Sequence, residues 1–205
     1  MANVSKVAGL KPVGYLNGSP WNGQARKYYV PATNATAIYV GDPVTLTGDG
    51  DANGIPGVVT GAAGAAIIGV VVGVVVADAG VSLQGTTIDL TRRSLPVSTA
   101  GYVLVADDPS IIFEVEEGVS GGTGTALTSA AIGLNANLVL KAAPTATYQD
   151  SGWVVDNSTE AATATLNVKL LGLSQREDNA FGSFAKWLVK INNHVYSAST
   201  GTAGI

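Results

Sequence analysis

The stretch that most constrains this chain is residues 55–77, IPGVVTGAAGAAIIGVVVGVVVA, which carries no charged side chain and ends in a run dense in Val and Ile. It is long enough for a membrane helix, which takes about 20 apolar residues. Gly69-Val70-Val71-Val72-Gly73 even has the small-xxx-small spacing of helix pairing in membranes. Three features point the other way. Five glycines and Pro56 interrupt the stretch. Its densest part is β-branched, which suits strands better than helices. Its nearest charges, Asp51 and Asp78, are acidic, where anchoring Lys or Arg would be expected. The remaining reading is one strand, or two strands with a glycine kink, buried on both faces. Burial on both faces removes the polar alternation of a half-exposed strand. Each fully buried Val or Ile would contribute roughly 1.5–3 kcal/mol, so this stretch is read as the core of a β domain.

The rest of the chain reads as more strands. Segments at residues 27–31, 37–40, 44–47, 82–90, 96–105, 111–115, 131–140, 153–155, 166–173 and 184–191 are each bounded by Gly, Pro, Asn or Asp. No sustained 3.6-residue apolar stripe competes with them. The expected fold class is therefore all-β, a jelly-roll-like sandwich or Greek-key barrel, which manages the edges of that many strands. Gly9, Gly14, Gly18 and Gly23 with Pro12 and Pro20 break up residues 1–24. That segment is expected to be an extended N-terminal arm whose apolar anchors are Leu10, Tyr15, Leu16 and Trp21, with Leu10, Tyr15 and Trp21 set on a neighbouring subunit. Residues 25–196 form the β domain, within which 78–165 reads as an elaboration or insertion, and 197–205 reads as a tail. Around residues 184–191 both faces carry apolar groups and one also carries lysines, the pattern of a strand near a sheet edge that meets a partner through Trp187.

Chemistry-bearing patterns are sparse. There is no cysteine, which removes disulfides and thiolate metal sites. The net charge of -4 without a Lys/Arg run speaks against nucleic acid, whose footprint is basic. Charged residues make up only 13%, against about 25% in ordinary domains, as suits a surface that rests against other proteins. Residues 1–15 hold no apolar segment of signal-peptide length, so classical secretion is not expected. Asp49-Gly50-Asp51-Ala52-Asn53-Gly54 matches the opening of a calcium loop, but Thr60 stands where the closing carboxylate belongs, and the segment reads as a β-turn. Asp107, Asp108, Glu114, Glu116 and Glu117 are bunched at strand ends and read as solvated rims rather than as an acid/base pair. His194, the only histidine, stands without a nucleophile or further ligands and reads as structural. No catalytic residue, cofactor or metal is expected.

One resemblance runs through both ends of the chain. It is carried by Leu16-Asn17-Gly18-Ser19-Pro20-Trp21-Asn22-Gly23-Gln24, Tyr29-Val30-Pro31-Ala32, Gly41-Asp42-Pro43-Val44, Gly54-Ile55-Pro56 and Gly69-Val70-Val71-Val72-Gly73. Gln175-Arg176-Glu177-Asp178-Asn179 and Val189-Lys190-Ile191-Asn192-Asn193-His194 complete it. In joint order these segments resemble the head decoration, or cement, proteins of tailed bacteriophages, especially short-tailed ones. The resemblance implies a jelly-roll-type virion protein on the outer surface of the capsid, made in the host cytoplasm. Its partners would be the major capsid protein, whose subunits it bridges, and itself as a homo-oligomer, dimer or trimer, with no nucleic acid and no membrane. It implies no catalysis. The alternative is a virion adhesion or carbohydrate-binding β module, with Trp153 as a sugar platform.

Overall fold

The computed structural model describes residues 3–75, 93–142, 150–197 and 201–204; the strand expected over 82–90 lies outside them. In chain order the strands are β1 (Lys11–Tyr15), β2 (Arg26–Val30), β3 (Ile38–Tyr39), β4 (Pro43–Gly50), β5 (Pro56–Thr60), β6 (Gly69–Val75) and β7 (Ser94–Leu95). Then follow β8 (Gly101–Ala106), β9 (Ile111–Gly118), β10 (Asn135–Ala136), β11 (Leu138–Leu140), β12 (Trp153–Asp156), β13 (Val168–Leu173) and β14 (Lys186–Ile191). A single 3-10 turn, Ser129–Ala131, accompanies them among the described residues. The fold is all-β, as expected.

Five strands close a barrel in the order β2-β5-β4-β6-β8. The closure is made by β2, which pairs antiparallel with β8 and parallel with β5 through Tyr29 and Gly57. A second sheet runs β10-β13-β14-β9-β12-β11, with β1 also paired to β9. β3 and β7 form a separate short pair whose Ile38 and Leu95 sit in the barrel core.

The uncharged stretch supplies β5 and β6, two strands on either side of β4 rather than one kinked strand. β6 explains the missing polar alternation. Val71 and Val74 pack into the barrel with Tyr28, Val44, Val58 and Val103. Val70 and Val72 pack on the other side, in the core shared with Phe113, Val115, Trp187 and Val189 of the large sheet. The pairing with β8 slips between Val71 and Gly73. This β-bulge adds one residue and lets Val71 and Val74 face the same side. At Gly69 the two strands come so close that a Cβ would collide with Ala106 O and Val105, which leaves room only for glycine.

Residues 93–142 and 150–165 are not an appended elaboration. β8 closes the barrel, and β9 is the centre of the large sheet, with β14 on one edge and β1 and β12 on the other. The alternation over 131–140 does not become one strand. It breaks into the 3-10 turn and the short strands β10 and β11. The terminal tail is also tied down: Asn192 Oδ1 accepts from Thr202 N at 3.0 Å, and Asn135 Nδ2 donates to Thr202 O at 2.8 Å.

Candidate interaction surface

The segment expected to reach a neighbour lies on its own chain. Asn3 Nδ2 donates to Ala180 O at 2.8 Å, and Asn3 Oδ1 accepts from Ala180 N at 3.0 Å. Ser5 Oγ and Lys6 N both donate to the Glu116 carboxylate, at 2.8 and 2.7 Å. Leu10 N donates to Gly41 O at 3.0 Å, and β1 then pairs along β9. Gly9 permits this approach, because a Cβ there would strike Gly41 O and Ser151. Glycine and proline thus do not prevent a strand here. They shape one that bends at Val13, where the β1–β9 register shifts.

Of the four expected interface anchors, two are corrected. Leu10 is 1% exposed and Trp187 0%, so neither offers surface to a partner. Trp187 is interior because β14 lies between β13 and β9 rather than at an edge. Its alternation puts Trp187, Val189 and Ile191 into the core and leaves Lys186, Leu188 and Lys190 on the outer face. Tyr15 and Trp21 are half-buried against the same core. They stand in a small hairpin in which Tyr15 N donates to Ser19 O and Gly18 N to Tyr15 O, each at 2.9 Å. Around its turn Val13 and Leu16 are 44% and 50% exposed. The structure therefore brings Tyr15 and Trp21 together with Leu16, an apolar anchor that the sequence also marks, and with Val13, which the sequence did not single out. The signal was there: apolar residues interleaved with Gly, Ser and Asn in a turn have no interior to enter.

Three of the five carboxylates read as solvated rims are not. Asp107, Glu116 and Glu117 are all buried, and each has a partner set that makes burial tolerable. Asp107 accepts from Tyr28 Oη at 2.7 Å and stands 3.4 Å from Arg26 Nη1. Glu116 meets Lys186 Nζ at 2.5 Å and Lys141 Nζ at 3.0 Å, besides Ser5 and Lys6. Burial pushes the Glu116 carboxyl up, but Lys186, the Lys6 N–H, Ser5 and Lys141 together outweigh it and hold it below the ordinary range. Glu117 faces the other way and accepts from Trp187 Nε1 and Leu127 N. With no cation beside it among the described residues, burial pushes its carboxyl up to about 7. Burial likewise raises Asp42 to about 6, although Ser151 and Tyr39 N–H lie beside it. Asp108 and Glu114 stay nearer solvent, held by Ser110 and by Ser174 with Arg176.

The segment that opens like a calcium loop is the β4–β5 turn. Asp51 Oδ1 accepts from Asn53 N at 2.9 Å and Ile55 N at 2.8 Å, and its Oδ2 accepts from Tyr102 Oη at 2.6 Å. This is an Asx-turn, closed by Gly54 at φ +79°. Among the described residues no three His, Asp or Glu side chains are grouped so as to hold a metal ion. No described helix is long and apolar enough to cross a membrane. His194 is buried, its Nδ1 accepts from Tyr196 N at 3.0 Å, and burial lowers its pKa. It lies where Ile67 bridges the chain after β14, a structural position. Trp153, the proposed sugar platform, is 8% exposed and belongs to the core, which corrects that expectation.

Several segments that carry the family resemblance meet in space. Gly41 N donates to Val71 O at 2.7 Å, and Val71 N donates to Asp42 O at 2.9 Å. Pro43 and Val44 pair with Val70 and Gly69, and Tyr29 pairs with Gly57 beside Pro56. These residues set turns and strand pairing in the barrel. Compared with known protein families, curated proteins and solved structures, the chain matches none of them.

Proposed function

We propose that this protein is a capsid decoration protein: a non-catalytic β protein that binds the outside of a phage head and bridges major capsid subunits, as a homo-oligomer on the virion surface. The observation that carries the reading is the hairpin over residues 13–21. It presents Val13 and Leu16 to solvent in front of half-buried Tyr15 and Trp21, on a backbone fixed by pairing with β9. Aliphatic groups and aromatics held rigidly at a surface lose little entropy on docking and are favoured as interface anchors. The same segment carries the longest run of the resemblance to decoration proteins. Many identical copies on one shell would let modest single contacts add up. The thinly charged surface is consistent with that role.

The test is binding of the purified chain to heads that lack it. Saturable decoration, and heads that withstand heat better once decorated, are the expected results. Leu16→Asp and Val13→Asp, which alter exposed side chains only, should lower occupancy without changing the melting temperature. If the unaltered chain leaves such heads bare, the reading fails.

A further inference from the structure

The outer face of the large sheet carries an arrangement that the hairpin reading does not use. In the β13–β14 register Lys169 stands directly opposite Lys190, and Lys190 in turn stands opposite Ile112 of β9. One pair further along, Leu188 lies between Gly172 and Glu114, and a Cβ at Gly172 would meet nothing within 4 Å. All three apolar and basic side chains of this patch on β14 and β9 (Leu188, Lys190, Ile112) are half-buried, as is Lys169. Like charges directly opposite in an antiparallel pair repel. The repulsion is felt here: burial, and then Lys190, lower the Lys169 pKa.

Two other cations of this face are neutralised, whereas Lys11, opposite Glu114, has no ion pair among the described residues. Lys186 pairs with Glu116 at 2.5 Å, and Arg176 pairs with Glu114 at 3.0 Å and Asp178 at 2.9 Å. Lys169 reaches only a backbone carbonyl, Ala203 O at 2.7 Å, and Lys190 has no ion pair among the described residues. A chain with net charge -4 thus holds two cations side by side with no carboxylate paired to either among the described residues, next to Ile112 and Leu188. Such a pair lowers the stability of the free chain and becomes favourable when an anion sits between the two ammonium groups.

We propose that this face is a docking surface for an acidic segment of a partner protein, with carboxylates between Lys169 and Lys190 and apolar side chains on Ile112 and Leu188. A protein segment fits better than nucleic acid, because the patch is half apolar and the net charge of the whole chain opposes a polyanion at long range. The proposal names a contact face for the decoration reading and rests on it only as to who the partner is.

Lys190→Glu separates binding from stability. It replaces a repulsive pair by an attractive one, so the melting temperature should stay level or rise while affinity for an acidic partner falls about tenfold or more. The neutral double variant Lys169→Gln/Lys190→Gln should bind weakly as well and lose the salt dependence of the wild type. Both are compared with the wild type on heads lacking the protein and on a glutamate oligomer. Where the wild type decorates heads, variants that decorate equally well overturn this inference and leave the decoration reading standing. Where it does not, the decoration reading falls and the oligomer decides. Salt-sensitive binding lost in both variants supports the face, whereas no binding, or equal binding by the variants, overturns it. Duplex DNA that competes as well as the oligomer also overturns it, in favour of a nucleic-acid surface.

Discussion

The indole N–H of Trp187 donates to Glu117 Oε2 at 2.9 Å, with Glu117 fully buried and no cation beside it among the described residues. The second oxygen, Oε1, has no hydrogen-bond partner, and neither has the Oδ1 of Asn157, whose side chain lies at the same carboxyl. Trp187, the Leu127 N–H and Asn157 all favour the carboxylate form, and burial outweighs the three of them. The charge on Glu160 adds to burial in favouring the protonated form.

The consequence for pH has a definite sign. The Glu117 pKa is raised from 4.5 to about 7 in the native state, so the native state holds this proton more tightly than the unfolded chain. Its stabilisation is complete below about pH 4.5 and is lost as pH rises through about 7. Glu117→Gln removes the titrating group and keeps an oxygen that can accept from Trp187 and Leu127. The variant should melt higher than wild type at pH 8, by about 2 kcal/mol, with the gap closing toward pH 5. Thermal unfolding of both chains across that range is the measurement, and a gap that does not vary with pH would contradict the assignment.

A carboxylate placed on β6 should be far more damaging. Val71 is fully buried inside the barrel, and an uncompensated charge there costs several kcal/mol, comparable to the whole stability of a domain. Val71→Asp is expected to give insoluble or unfolded protein. A soluble variant with an unchanged circular-dichroism melt would show that the barrel interior is misassigned.

Removing residues 1–15 should unfold the chain rather than free it from a partner. Leu10 belongs to the main core and β1 completes one edge of β9. Truncating Leu10 alone to Ala should cost about 2–5 kcal/mol. Urea unfolding of Leu10→Ala checks the core contact, and a truncated chain with full cooperative melting would restore the picture of a detachable arm.

Calcium should leave the chain as it is. Asp51 is engaged by Asn53, Ile55 and Tyr102, and hydrogen bonding to Tyr102 first, then to Ile55, holds its carboxyl below the usual range. Added calcium or a chelator should not shift the melting temperature, since only a ligand bound by the native state stabilises it. Asp51→Ala should lower the melting temperature with or without calcium, because the turn loses its acceptor.

Local pattern in the sequence determined much of this fold. The β-branched, uncharged run around Val70 and Val71 announced a strand buried on both sides. The turn residues at Gly41-Asp42-Pro43 and Asp51-Ala52-Asn53-Gly54 marked where strands end, since each fixes its own few backbone angles. What only the tertiary structure decided is which strand lies beside which. Alternation in residues 186–191 shows two faces but cannot tell an edge strand from one flanked by β9 and β13, so Trp187 moved from surface to core. Glycine and proline in residues 9–20 specify a chain that bends, yet only the exposed edge of β9 turns that bend into β1 and buries Leu10. The charges were least legible. Glu116 and Glu117 are adjacent in sequence, and burial gives them opposite fates because one meets two lysines and the other meets only an indole, an amide and a backbone N–H.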